Sequence, residues 1–371
     1  ANFSMMAQST MWAVRKMKPE SGFELVKVPI PKPSSTEILM KVLACSLCGT
    51  DVHVHDWDPP FCEGRLTPPI TTGHEVCGEV IELGDDVTEF KVGDLVSAES
   101  HLPCKSQKLR MNSEMCSMCK MGNEHICEHV KFFSVDVDGF LAEYATAPAN
   151  ILWKNPPDMS WEIGSLQESL GNSVYTVAAS DVKGKDVAVF GLGPTGLNAC
   201  AVARHMGARQ VIAVAGSQKH IELAQQMGAT TVINRHKEDP VEAIRKLTNG
   251  TGPHVVLEMS GNEQALNQAL QAVMTTGMVT ILGLYAKPVT FDLSKLVVLK
   301  DVTIRGIYGR KIWETWKLTS ELLASGLNVK PVITHQFEGL KDYPVAIKAM
   351  HEGATGKCVF YPHGMKKISA I

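Results

Sequence analysis

The rhythm of apolar positions changes near the middle of this chain. From Met11 to about Pro148, short apolar runs recur between Gly, Pro and Asp punctuation, at residues 37–44, 76–83 and 94–97. Runs of that length between turn residues predict strands. From about Lys183 to Val302 the pattern alternates. Compact apolar runs at 186–190, 211–214, 231–234, 254–257 and 278–282 are separated by helical stretches at 196–206, 220–227 and 263–273. Buried strands alternating with helices predict a parallel, doubly wound sheet. A last segment opens near Arg310 with a predicted helix over 313–325 and ends strand-like at 356–360. No internal repeat, low-complexity tract or long linker interrupts this pattern.

Composition narrows the class. A chain of 371 residues fits two or three domains at roughly 150 residues each. Its 44% apolar and 20% charged residues are those of a globular protein. A net charge of -3 argues against nucleic acid or an anionic membrane as partner. No apolar run approaches the ~20 residues of a membrane helix, and residues 1–10 lack the pattern of a secretory leader. The expectation is a soluble, cytoplasmic protein.

Ten cysteines in a chain of this length do not make a disulfide scaffold. In a reducing compartment, clustered cysteines point to metal. Cys104, Cys116, Cys119 and Cys127 form such a cluster, whereas Cys45, Cys62, Cys77, Cys200 and Cys358 stand apart and read as packing residues. Four thiolates close a tetrahedral zinc and leave no position open for chemistry, so this is an expected structural site.

A glycine motif opens the second half of the chain. Gly191, Gly193 and Gly196, with Pro194 and Thr195 between them, follow the apolar run ending at Phe190 and precede a helix. In that context the glycines serve a tight turn, close approach of backbone to a pyrophosphate, and helix–strand packing. The helix start offers N–H groups and a positive dipole end to the phosphates. An acid that holds the adenosine ribose is expected about 20 residues on. That place reads Val214, Ala215, Gly216, Ser217, Gln218, Lys219, His220, without a carboxylate. A 2′-phosphate would meet no repulsion there, and Gly216, Ser217, Lys219 and His220 could supply donors or charge. NADP is therefore favoured over NAD. No arginine sits in the loop itself, which leaves an NAD-using or tolerant enzyme as the alternative.

A second metal constellation lies nearer the start. Cys48, Thr50, Asp51 and His53 are followed by Gly73, His74 and Glu75. One sulfur and one imidazole leave room for a third ligand and a substrate oxygen, as in a catalytic zinc site.

With these motifs together, the chain resembles the medium-chain, zinc-dependent alcohol dehydrogenase superfamily along nearly its full length. Within it, the chain is most similar to the group of L-threonine 3-dehydrogenases. The residues that carry this are 48–53 with 56–58, 73–75, His101, 171–174, 258–261, 306–310 with 314–316, and 325–327 with 331–335. The resemblance implies an α/β fold with a GroES-like, β-rich catalytic domain at 10–165. That domain would carry a structural-zinc lobe at about 100–128. A Rossmann cofactor domain would span 166–310, and residues 311–371 would return to the catalytic domain. It also implies a homo-oligomer, a tetramer or dimer.

Carried over by position, Cys48, His74 and Glu168 would hold the catalytic zinc, with Glu75 close to the metal and able to exchange onto it. Asp51 would accept the second ring N–H of His74. Thr50 would take the alcohol proton and His53 pass it on. Leu284 and Ile307 would lie near the nicotinamide. Zinc would act as a Lewis acid on the substrate oxygen, and the dinucleotide would accept hydride as alcohol becomes ketone.

Three departures mark this chain. Eleven residues rather than two separate Cys104 from Cys116, so that 105–115 would loop out. Ser169-Leu170 and Tyr175 replace the Pro-Phe and His of the group, and Ala215 replaces the ribose-binding acid. Two rivals therefore stand beside a threonine dehydrogenase. One is an NADP(H)-dependent polyol, sugar or secondary-alcohol dehydrogenase or ketone reductase. The other, of a different class, is an inactive cofactor-binding or redox-sensing protein. An amino-acid substrate would need polar partners, for which His101 is a candidate; a surface histidine is the other reading of it.

Overall fold

The structure is a computed structural model that describes residues 10–106, 115–353 and 355–365. It divides into two compact units, one running to Glu168 and resuming at Ile333, the other spanning Ser169–Val332.

The first unit is built on β-sheet. Its larger sheet has seven strands, with Leu152–Lys154, Leu95–Ala98, Glu75–Leu83, Glu37–Ser46, Lys357–Tyr361 and Ile333–Glu338 in spatial order and Tyr144–Pro148 paired beside Glu37–Ser46. Nine of ten residues in Glu37–Ser46 are buried, as befits a central strand contacted on both faces. It pairs antiparallel with Glu75–Leu83, and two register shifts bend this ladder. The bend sets Ser46 opposite Glu75. Three strands, Glu24–Pro29, Thr10–Lys16 and Ile70–Thr71, make a second sheet. Val14, Ile38, Met40, Val42, Val54, Val76, Phe133, Phe140 and Phe360 belong to the common core.

One short helix, Gly49–Asp56, carries much of the candidate chemistry. Asp56 accepts from His55 Nδ1 at 2.7 Å and from His351 Nε2 at 2.7 Å, tying this helix to Tyr343–His351. Lys16 donates to the carbonyl of His55 at 2.8 Å and so occupies one of its terminal acceptors.

The second unit is a six-stranded parallel sheet. Its spatial order is Thr231–Asn234, Gln210–Ala215, Asp186–Phe190, Val255–Glu258, Met278–Ile281 and Thr303–Gly306. This is the doubly wound order that the strand–helix alternation predicts. Asp186–Phe190 is buried throughout, and Ala188, Phe190, Ile212, Val256 and Val279 fill the core. Arg209 forks onto Asp186 at 2.8 and 2.6 Å, joining two neighbouring strand starts.

Helix Pro240–Leu247 was not predicted, although Asp239 caps it by accepting from Glu242 N at 2.9 Å and Pro240 stands at its first turn. An Asp three residues before a Glu, with Pro between, is a helix-start signature that apolar periodicity alone passes over. The long helix Trp161–Ala178 was likewise unpredicted as an element; its apolar residues are broken by Gly, Ser and Asn. No helix among the described residues is long and apolar enough to cross a membrane.

Candidate active site

The centre starts from one helix N-terminus and one tight loop. Cys48 is the N-cap of Gly49–Asp56, and its backbone N–H donates to Asp51 Oδ2 at 2.8 Å. Asp51 is fully buried. Its other oxygen accepts from Gly73 N at 3.2 Å and lies 3.7 Å from His74 Nδ1. Burial would raise the Asp51 pKa, but the neighbouring His74 and the Cys48 N–H hold it below the ordinary aspartate range. One carboxylate thus locks the helix start to the loop before Glu75–Leu83 and faces one ring nitrogen of His74.

The His74 ring, the Cys48 sulfur and the Glu75 carboxylate offer the convergent ligand atoms. These three residues present one ligand atom each, all within 4.8 Å of one another. Thiolate, imidazole and carboxylate make a donor set suited to zinc. Thr50 places its hydroxyl 4.0 Å from Cys48 Sγ. His53 lies on the same helix, outside the three-residue group; it is exposed, bonds Asp58 Oδ2 at 2.8 Å and stacks on Phe61.

Glu75 has a second set of partners. Lys357 Nζ and Ser46 Oγ both donate to its carboxylate, and Lys357 also reaches the carbonyl of Leu47 at 3.2 Å. Burial lowers the Lys357 pKa, but the Glu75 charge outweighs this and holds the ammonium above its ordinary range. Glu168 stands outside the three-residue cluster and accepts from Ser100 Oγ at 2.6 Å. Its charge still acts on both Glu75 and Lys357.

His101 is 6% exposed, so the reading of it as a surface histidine is corrected. Its Nδ1 lies 3.0 Å from Glu99 Oε1 and 3.2 Å from Ser100 Oγ, and Phe132 meets the ring edge-on. Packing between Phe132 and the core excludes it from solvent, which its polar neighbours in sequence concealed. Lys357, Ser46 and Ser100 carry no sequence signal of their own, because only strand pairing brings them here.

Cys104, Cys116, Cys119 and Cys127 also converge. Sulfur pairs stand 3.8 Å apart (Cys104–Cys116) and 3.7 Å apart (Cys116–Cys127). A tetrahedron with Zn–S bonds of about 2.3 Å has edges of about 3.8 Å, so the spacing fits zinc and excludes a disulfide. The N–H groups of Cys104, Cys116, Cys119 and His129 point at cysteine sulfurs, as charged thiolates require. The expected loop-out at 105–115 falls largely on 107–114, outside the described residues. The five cysteines read as packing residues are all buried.

In the second unit, Gly191 has φ +87° and stands directly after Asp186–Phe190. Gly196 lies inside helix Pro194–His205, and a Cβ on it would sit 1.8 Å from the Gly191 carbonyl oxygen. The turn therefore closes only with glycine at both places. Gly193 is the N-cap, with open space where a Cβ would stand, and Pro194 and Thr195 begin the helix. A phosphate could approach this backbone closely.

Ala215 ends its strand fully packed, Gly216 follows, and Ser217 caps the next helix by accepting from His220 N. Ser217 Oγ also lies 2.9 Å from His220 Nδ1, and Lys219 is exposed. Leu284 is exposed, and Ile307 is buried with its N–H on Ile281 O. Sequence reading missed Arg235, which packs against Gly216 from the neighbouring strand end.

Known proteins share this arrangement of sequence. The family model for a zinc-binding dehydrogenase matches residues 194–325, and that for an alcohol dehydrogenase GroES-like domain matches residues 34–157. The chain is 46% identical to an L-threonine 3-dehydrogenase of Pyrococcus horikoshii over 94% of its length and 98% of the relative's. It is 44% identical to one of Bacillus licheniformis, over 93% of this chain and 96% of that one. Among solved structures, a zinc-binding dehydrogenase of Sinorhizobium meliloti 1021 bound to NADP superposes with a TM-score of 0.85 at 27% identity, covering 96% of this chain and 100% of that one.

Proposed function

The chain belongs to the zinc-dependent alcohol dehydrogenases with a GroES-like domain and a Rossmann-type dehydrogenase domain, and from that premise we propose that it oxidises the secondary alcohol of L-threonine to 2-amino-3-oxobutanoate. It is an NAD(P)-dependent oxidoreductase of zinc chemistry. The carrying observation is the convergence of Cys48, His74 and Glu75 beside the Thr50 hydroxyl. The name shared by relatives 44–46% identical along almost the whole chain supports threonine as substrate.

Cys48 and His74 would hold the catalytic zinc, with Glu168 or Glu75 as the carboxylate ligand. The Ser100 hydroxyl steadies Glu168 and the Lys357 ammonium steadies Glu75. When bound, zinc supplies Lewis acidity to the alcohol oxygen, and the nicotinamide supplies a hydride acceptor. Asp51 fixes the orientation of His74. Thr50 receives the alcohol proton, and exposed His53, held by Asp58, delivers it to water. Cys104, Cys116, Cys119 and Cys127 would carry the structural zinc.

In the second unit, the turn Gly191–Gly196 receives the pyrophosphate. Gly216, Ser217, Lys219 and His220 line the adenosine end, where the absence of an acid favours NADP over NAD. Leu284 and Ile307 border the nicotinamide. The unit with the zinc residues is the catalytic domain and the parallel-sheet unit the cofactor domain. A cytoplasmic homo-oligomer is the assembly we favour. Edge strand Thr303–Gly306 is exposed along its length, with Leu293, Val298, Leu299 and Ile304 exposed nearby, an apolar surface suited to a second copy.

Initial rates on zinc-replete protein with L-threonine, using NAD and then NADP, test this reading. Threonine-dependent reduction of either dinucleotide supports the substrate. No rate with either moves the substrate to a polyol, another secondary alcohol or a ketone on the same zinc chemistry.

A further inference from the structure

The adenosine end of the second unit holds a cation that its own loop does not contain. Ala215 is the last residue of its strand, paired in register with Asn234 of the neighbouring parallel strand. One residue further on, the Arg235 N–H donates to the Ala215 carbonyl at 3.0 Å. The sheet ladder therefore fixes the Arg235 backbone beside the place where a ribose-binding acid is expected.

The side chain turns toward the loop. A Cβ built on Gly216 would lie 2.7 Å from Arg235 Nε, 3.0 Å from Nη2 and 3.1 Å from Cζ. The guanidinium thus occupies the space that any larger residue at 216 would need. Arg235 is exposed, and its guanidinium makes no hydrogen bond or ion pair among the described residues. Arg209, by contrast, spends its fork on Asp186. Exposed Lys219 adds charge from the loop itself, whereas the Ser217 hydroxyl is already engaged by His220.

We propose that Arg235 is the specificity-determining residue that receives the 2′-phosphate of a 2′-phosphorylated adenine dinucleotide. A planar guanidinium carries a permanent charge and matches phosphate oxygens with paired N–H donors, which a neutral ribose hydroxyl would use far less. With Ala215 in place of an acid, no carboxylate there repels the phosphate or binds the free 2′-hydroxyl. The ligand class is therefore NADP(H) rather than NAD(H). This inference rests on the NADP reading above and names the residue that would enforce it.

The test is calorimetric titration of the zinc-replete protein with adenosine 2′,5′-bisphosphate and with AMP, which differ only in the 2′-phosphate, in the wild type, Arg235→Ala and Arg235→Lys. The wild type is expected to prefer the bisphosphate by about tenfold or more, the scale of a charge-assisted hydrogen bond. Arg235→Ala should bring that ratio near one while leaving AMP affinity unchanged, and Arg235→Lys should fall between. If the wild type prefers the bisphosphate and Arg235→Ala keeps the preference, the assignment to Arg235 is overturned and the NADP reading survives. If the wild type binds both alike, the NADP reading fails and takes this inference with it. Because Arg235 is exposed, the variants should unfold at the wild-type temperature, which separates lost binding from lost fold.

Discussion

Lys357, on a strand near the end of the chain, donates its ammonium to the carboxylate of Glu75, almost three hundred residues earlier, and neither side chain reaches solvent. A buried pair of this kind is costly to break from one side, because the survivor remains charged without a partner. Lys357→Met should cost about 3–5 kcal/mol, a fall in melting temperature on the order of 10 °C for a unit of this size. Adding Glu75→Gln should recover much of the loss, since the orphaned charge is gone. Thermal unfolding of the single and double variants checks this. A single variant melting with the wild type would mean that the pair is electrostatically idle.

Cys48→Ala removes one soft ligand and leaves the second unit untouched. Turnover should fall on the order of a thousandfold, the loss of several kcal/mol of barrier lowering. Dinucleotide binding, followed by fluorescence titration, should be unchanged. Appreciable turnover in this variant would remove the zinc mechanism.

Asp51→Asn keeps the shape of the buried side chain and deletes its charge. The amide can still accept from Cys48 N or Gly73 N, so the helix and loop should stay joined. What is lost is the carboxylate facing His74. Zinc affinity or kcat/KM should fall about 10–100-fold, with little change in melting temperature. Zinc content after dialysis against a weak chelator separates the two effects. A variant that melts far earlier and yet binds zinc normally would reassign Asp51 to folding alone.

Acid stability offers a test away from the metal. Asp94 accepts from Lys154 Nζ at 2.6 Å and Lys91 N at 3.0 Å. Burial raises its pKa, but these donors more than offset that and depress it. A depressed folded-state value means stabilisation that is full above the unfolded pKa and lost as pH falls through the folded one. Asp94→Asn should therefore be less stable than the wild type at neutral pH. The gap should close as pH drops below the ordinary aspartate value of about 3.9. Denaturant midpoints across that range give the answer; a gap independent of pH would assign the effect to packing.

Much of this protein is local and was therefore open to a reading of the chain. The parallel sheet followed from apolar runs such as 186–190 and 211–214, because buried strands must be apolar on both faces. The nucleotide turn was legible because Gly191, Gly193 and Gly196 serve one short segment. The four cysteines were legible because three of them lie within twelve residues. Pairing across long separations was not legible. Ser100 bonded to Glu168 and Lys357 bonded to Glu75 arise from strand register and helix docking, which leave no mark in the local pattern. The adenosine loop shows the division most sharply. The sequence by itself determined that Ala215 offers no acid and that the loop holds no arginine. Only the parallel ladder between two neighbouring strands decided that Arg235 stands against Gly216, because its backbone N–H is bonded to the strand that ends there.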